Sequence, residues 1–159
     1  MVAGYAIGGG HVLHLVCDMT IASDKARFGQ VGPKVGSVDA GFGTGYLARI
    51  VGEKKAREIW FLCRQYSAED ARQMGLVNAV VSHETLMHEA RTWATEVVNL
   101  SPTAIRLAKQ SFNMHSEIFR GAEAFASTAL GMFYRTEEAM EGRNAFIDKR
   151  VPDFNKFVE

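Results

Sequence analysis

Three places in the sequence combine residue types and spacings that can do chemistry. The first is Gly8-Gly9-Gly10, set between the apolar run Val2 to Ile7 and the mostly apolar stretch His11 to Cys17. A strand that breaks through glycines into a helix leaves backbone N–H groups free at the helix N-terminus, where the macrodipole favours negative charge. Such a place can hold an anion or an oxyanion developing on a substrate carbonyl, and the same glycines also serve simple close packing. The second is Ser37 and Asp39, isolated polar residues in a loop that carries Gly32, Pro33, Gly36, Gly41, Gly43 and Gly45. Loops of that kind often carry function. A carboxylate directly before a helix is equally a helix cap. The third is Tyr134, placed among apolar residues ahead of the charged turn Arg135-Thr136-Glu137-Glu138. A tyrosine with an apolar body and a hydroxyl at a rim fits either packing or a site.

Other chemistries find little support. His11 and His14 lie three apart on a helix with no third ligand close in sequence, so packing or a local hydrogen bond is expected and no metal. His83 and His88, five apart, point to different faces and are expected in solvent. Cys17 and Cys63 sit in apolar helical patterns without a Cys-x-x-Cys partner and read as buried thiols of a reducing cytoplasm. There is no Gly-x-Ser-x-Gly elbow and no P-loop. Eighteen basic residues balance eighteen acidic ones, which argues against nucleic acid. No apolar run approaches the roughly 20 residues of a membrane span, and the opening residues lack the pattern of a secretory leader.

The elements that must position these groups follow from periodicity. Val2 to Ile7, Asp18 to Ser23, Ala26 to Gln30 and Leu76 to Val81 read as strands, with Asp24-Lys25 as the turn between the second and third. Helices are expected over His11 to Cys17, Tyr46 to Val51 closing at Gly52, Glu53 to Arg64, and from a Ser67–Asp70 capping box to Gly75. A longer helix capped by Ser82 would bury Leu86, Ala90, Trp93, Ala94 and Val97, and Ser101-Pro102 starts another. Glu117 to Arg135 and Glu137 to Arg150 continue the helical pattern, and an extended aromatic tail suited to docking ends the chain. The order is a strand-rich first third and a helical remainder, so α+β or α/β with a helical C-terminal portion, divided here into residues 1–80 and 81–159. The chain starts almost inside a strand, so a longer protein or a half supplied elsewhere is expected.

Gly4-Tyr5-Ala6-Ile7-Gly8-Gly9-Gly10 with Cys17-Asp18 and Ile21-Ala22-Ser23 resembles the crotonase (enoyl-CoA hydratase/isomerase) superfamily. The resemblance implies the later part of the crotonase spiral with a helical C-terminal region. It also implies that Gly9 supplies one of two backbone N–H groups holding the thioester oxygen of an acyl-CoA. The upstream part, which in the family supplies the second N–H and much of the CoA pocket, lies outside the match. Hydratases of the family carry glutamates where this chain has Val12 and Gly32. Without either carboxylate nothing activates water, so simple hydration is not expected.

Longer runs resemble one branch, the 1,4-dihydroxy-2-naphthoyl-CoA synthases of menaquinone biosynthesis. These are Phe28 to Asp39, Ala56 to Tyr66, Glu141-Gly142-Arg143-Asn144-Ala145-Phe146, Lys149-Arg150 and Pro152-Asp153-Phe154. The resemblance implies an intramolecular Claisen condensation of o-succinylbenzoyl-CoA, with Gly9, Ser37, Asp39 and Tyr134 in catalytic roles. It implies a bicarbonate cofactor held by Gln30 and Trp60 in the space left by Gly32. It implies CoA and substrate contacts from Tyr5, Gly8, Gly9, Val31, Ser37, Tyr134 and Lys149, with Tyr134 coming from a neighbouring subunit of a homotrimer or homohexamer. Other acyl-CoA reactions of the superfamily, hydrolysis or decarboxylation, and a non-catalytic acyl-CoA-binding fragment stand as alternatives.

Overall fold

The computed structural model describes residues 1–39, 41–114 and 116–158, and for 117–123 the backbone alone. Strand β1 (Tyr5–Ile7) runs into helix α1 (Gly9–Leu15), followed by β2 (Ile21–Ser23), β3 (Arg27–Gly29) and a four-residue helix α2 (Gly32–Val35). The helices α3 (Gly43–Val51) and α4 (Glu53–Leu62) meet at Gly52, whose φ of 81° lets the chain turn between them. A short β4 (Gln65–Ser67) leads to α5 (Ala68–Gln73), opened by the Ser67–Asp70 capping box expected from the sequence. Strand β5 (Ala79–Val81) precedes the helices α6 (Leu86–Val98), α7 (Pro102–Met114), α8 (Glu117–Phe133) and α9 (Glu137–Ile147).

Two small sheets carry the first half. β1 pairs in parallel with β3, aligning Ala6 with Phe28 and Ile7 with Gly29, and β3 pairs antiparallel with β4. β2 pairs in parallel with β5. Phe28, Leu47 and Ile59 are fully buried between the sheets and α3–α4, with Trp60 8% exposed at the edge of that core. Burying large apolar side chains of this kind supplies most of the stabilisation available to such a layer.

Several expectations are corrected. The Asp24-Lys25 turn forms as expected, while the strands it joins pair elsewhere, β2 with β5 and β3 with β1 and β4. The Asp24 N–H donates to the Val81 carbonyl at 2.8 Å, which fixes the turn to β5 instead. The thiols are not buried: Cys17 lies exposed beyond the end of α1, and Cys63 is partly exposed as the left-handed cap of α4. Ser82 holds a turn, accepting from the Thr85 N–H at 3.3 Å, and α6 begins only at Leu86. Of the expected apolar face of α6, Leu86 is buried while Ala94 and Val97 are exposed.

The packing that matters most for the site is α9 against α2. Gly36 follows α2 with φ 67° and touches Ala139, where a Cβ would stand 3.0 Å from the Ala139 carbonyl oxygen. Gly142, one turn further along α9, faces Gly36 in turn: a Cβ there would stand 2.6 Å from the Gly36 Cα. Two glycines therefore let two backbones touch. Gly142→Ala forces them apart and is expected to cost about 1–3 kcal/mol, the range for overpacking a tight contact. A lower urea midpoint with an unchanged slope is the outcome that checks it.

Candidate active site

The site grows from the carboxyl ends of two parallel strands, where α/β folds commonly place ligands. The Gly8 N–H donates to the Gly29 carbonyl at 3.1 Å, so the glycine triplet is laid beside Gln30 and Val31. Gly8 turns the chain at φ 58° and packs on the Val31 side chain, where a Cβ would come within 3.2 Å of Val31 Cγ1. Gly9 and Gly10 then open α1. A Cβ on either would meet nothing within 4 Å, so the surface beside their first-turn N–H groups is free.

From Gln30 the chain enters α2 and returns through Gly36 to Ser37, whose N–H donates to the Gly32 carbonyl at 2.8 Å. The Ser37 Oγ and Tyr134 Oη stand 2.8 Å apart, a hydroxyl pair that bridges 97 residues of sequence. Both residues line a cavity of about 900 Å³ together with Val31. Ile7, Val35, Met140, Phe146 and Ile147 give it a largely apolar wall, and Lys34, Gln65 and Arg143 add polar groups. Tyr134 reaches Ser37 from within this chain. The physical reason is the glycine contact between α2 and α9, which folds the C-terminal helices back over Ser37.

Asp39 is held differently. Its Oδ1 accepts from the Gly41 and Gly43 N–H groups at 3.1 and 2.9 Å, and its Oδ2 from the Thr44 N–H and hydroxyl, both at 2.7 Å. The Gly43 and Thr44 N–H groups are orphan donors at the start of α3, so the carboxylate acts as a cap. Behind Ser37 the Trp60 ring spans the gap between two glycines. A Cβ on Gly32 would come within 3.2 Å of it, and one on Gly43 within 2.9 Å. The Trp60 indole N–H donates to the Gly43 carbonyl at 3.4 Å, a long bond. Gln30 is 2% exposed, and its Nε2 has no hydrogen-bond partner among the described residues.

The remaining sequence-derived positions lie off the cavity walls. Tyr5 is 78% exposed on β1, and Lys149 follows the end of α9. The sequence reading passed over Arg143, Phe146 and Ile147. With Ala139 and Met140 they recur at steps of three and four along one face of α9, a spacing that could have revealed them.

Comparison with known proteins fits this geometry. The sequence pattern of the enoyl-CoA hydratase/isomerase family matches residues 1–156. An enoyl-CoA hydratase/isomerase from Pseudoalteromonas atlantica T6c is 29% identical, with a TM-score of 0.90 over 96% of this chain and 62% of that one. An enoyl-CoA hydratase from Mycobacterium smegmatis is 32% identical, with a TM-score of 0.74 over 83% of this chain and 61% of that one. A methylmalonyl-CoA decarboxylase is 26% identical, with a TM-score of 0.84 over 97% of this chain and 61% of that one. The architecture is thus an α/β crotonase fold. The chain belongs to the enoyl-CoA hydratase/isomerase family, and it spans 61–62% of the length of these three solved structures.

Next to the glycine triplet lies a buried polar chain. His11 Nδ1 and His14 Nε2 are 3.3 Å apart, and His14 Nδ1 lies 3.4 Å from the Thr20 hydroxyl. Burial, then the neighbouring His14, lowers the pKa of His11 to about 3, and burial first lowers that of His14 to about 4. Both rings are therefore neutral at pH 7 and donate no charge to the site. Because the folded values lie below the unfolded value of 6.5, the unfolded chain takes up more protons as pH falls. This part of the stability is complete above pH 6.5 and drains away as pH drops toward 3–4. Urea midpoints measured at pH 7, 6 and 5, above the main carboxylate range, should fall stepwise. The slope should flatten in a His11→Gln/His14→Gln variant.

Proposed function

We propose that this chain carries the later part of an active site that closes the ring of o-succinylbenzoyl-CoA to give 1,4-dihydroxy-2-naphthoyl-CoA. The observation that carries the reading is the Ser37–Tyr134 hydroxyl pair on the wall of a largely apolar cavity, in a site with no carboxylate at positions 12 and 32. A hydratase needs acid and base groups to add water, and this site offers hydroxyls and backbone N–H groups instead. The backbone around Gly32 is also closed to a side chain, since a Cβ there would meet the Ser37 carbonyl oxygen at 2.8 Å.

In the proposed reaction a proton leaves the carbon alpha to the thioester. The resulting enolate carbon attacks the benzoic carboxyl carbon. One C–C bond forms, a C–O bond breaks with loss of water, and proton shifts make the new ring aromatic. The Gly9 N–H faces the thioester oxygen, where charge collects at the enolate stage; one such donor is worth roughly 100–1000-fold in rate. Gly8, Val31 and Tyr5 would flank the thioester and its CoA arm. Ser37 and Tyr134 hold and protonate the carboxyl end that loses water. Asp39 is the acid/base group by resemblance, and in this fold it also orders the loop that carries Ser37.

The bicarbonate that the resemblance implies has no open space at Gly32, where a Cβ would already meet the Ser37 carbonyl oxygen and the Trp60 ring, so its support is Gln30, whose buried Nε2 lacks a partner among the described residues. Trp60 would join it by giving up its 3.4 Å bond to Gly43. When bound, the ion supplies the base that positions 12 and 32 lack.

Incubation with o-succinylbenzoyl-CoA in carbonate-free buffer, followed through the absorbance of the naphthoyl product, tests the reading. Turnover should rise on adding bicarbonate and drop roughly 100-fold in Tyr134→Phe, the loss of one transition-state donor. Turnover indifferent to bicarbonate sinks the cofactor assignment alone. Decarboxylation of a malonyl-type thioester instead would move the chain toward the chemistry in the name of its decarboxylase neighbour. Binding without any turnover would leave an acyl-CoA-binding fragment.

A further inference from the structure

The cavity that holds the Ser37–Tyr134 pair carries an unbalanced charge that the proposed steps leave unused. Lys34 and Arg143 both line it, and among the described residues no aspartate or glutamate does. Both side chains are exposed, and neither forms an ion pair or hydrogen bond with a described residue. Two acidic groups close in sequence are already engaged. Glu141, two residues before Arg143, pairs with Arg150 at 2.6 Å and Lys156 at 3.3 Å. Asp39, two residues after Ser37, accepts from the Gly43 N–H on one oxygen and the Thr44 N–H on the other.

One backbone contact carries both cations. A Cβ on Gly142 would stand 2.5 Å from the Val35 carbonyl carbon. Lys34 precedes Val35 in α2 and Arg143 follows Gly142 in α9, so the two cations flank the place where those helices touch. Ser37 follows Gly36 at the same contact, which ties the cations to the hydroxyl pair. Cations without a counter-charge on a largely apolar wall favour an anionic ligand group. Arginine adds a planar fork of N–H donors that matches a carboxylate. An enolate approaching a carboxylate also meets like charge, and a guanidinium on that carboxylate offsets the repulsion.

We infer that Arg143, assisted by Lys34, is a specificity determinant: it pairs with a free carboxylate at the far end of the acyl chain and selects acyl-CoA thioesters that carry a second acid group over neutral ones. This rests on the acyl-CoA reading of the cavity. The competing assignment gives both cations to the phosphates of the CoA arm, where they would serve every acyl-CoA alike.

Calorimetric titration with heptanedioyl-CoA and heptanoyl-CoA at one ionic strength separates the two. These thioesters share the CoA arm and differ in a terminal carboxylate, set as many bonds from the thioester carbonyl as in o-succinylbenzoyl-CoA. An apolar wall alone favours the methyl end, because burying an unpaired carboxylate is costly. The chain should instead bind heptanedioyl-CoA about tenfold tighter or more, the scale of one charge-assisted hydrogen bond. Arg143→Gln should erase or invert that preference, Lys34→Gln should narrow it, and Arg143→Lys should keep part of it. Equal affinity of the wild-type chain for both thioesters overturns the inference, as does a preference that survives Arg143→Gln. A loss shared equally by both thioesters in Arg143→Gln overturns it too, and gives the cation to the CoA phosphates. A wild-type chain that binds neither thioester overturns the acyl-CoA reading beneath it. If Arg143→Gln fails to fold, Arg143→Lys and Lys34→Gln carry the same comparison, and a full preference in both overturns the inference.

Discussion

Everything that looks like a site in this chain depends on one contact between two backbones, α2 against α9. Gly36 and Gly142 face each other without side chains, and neither position has room for a Cβ. That closeness brings Tyr134, far along the sequence, to Ser37. It also makes the inward face of α9 one wall of the cavity whose other wall is α2 and the end of β1. Packing density, rather than any strong polar bond, is what fixes the geometry, because a close-packed contact transmits even a methyl-sized change.

The second constraint is the parallel pairing of β1 with β3. Since the two strands end together, the glycine triplet after one and Gln30 after the other emerge side by side. Parallel strands end at the same edge, so the elements that follow them share that edge. The fold spends its polar groups unevenly there. Asp39 has donors on both oxygens, whereas Gln30 keeps a buried amide without a partner among the described residues. The first is a cap whose loop holds Ser37. The second is, with His11 Nε2, one of the buried side-chain nitrogens that lack a partner among the described residues.

The chain spans 61–62% of the length of the three solved structures compared. Exposed apolar residues such as Leu13 on α1 and Phe112 on α7 show that the described surface is not all finished with polar groups. Uncovered apolar area of this kind is characteristic of faces that meet other protein.

The sequence by itself determined the local elements and the family. Gly8 to Gly10 at the mouth of a helix, the Ser67–Asp70 capping box and the turns at Gly52 and Gly75 could be read from residue types, because each depends on neighbours a few positions away. The resemblance to the crotonase superfamily was carried by runs of residues and holds. Short strands were harder: β4 was missed, and the partners of β2 and β3 could not be read, because three-residue strands carry too little periodicity to name their partners. Burial of the cysteines was misjudged for the same reason, since an apolar pattern does not say which face is covered. Only the tertiary structure decided that Tyr134 reaches Ser37 within one chain, that Asp39 caps α3 and that Lys149 stands in a left-handed turn after α9. These depend on contacts between distant segments, and the glycines that permit the closest of them look, in the sequence, like any others.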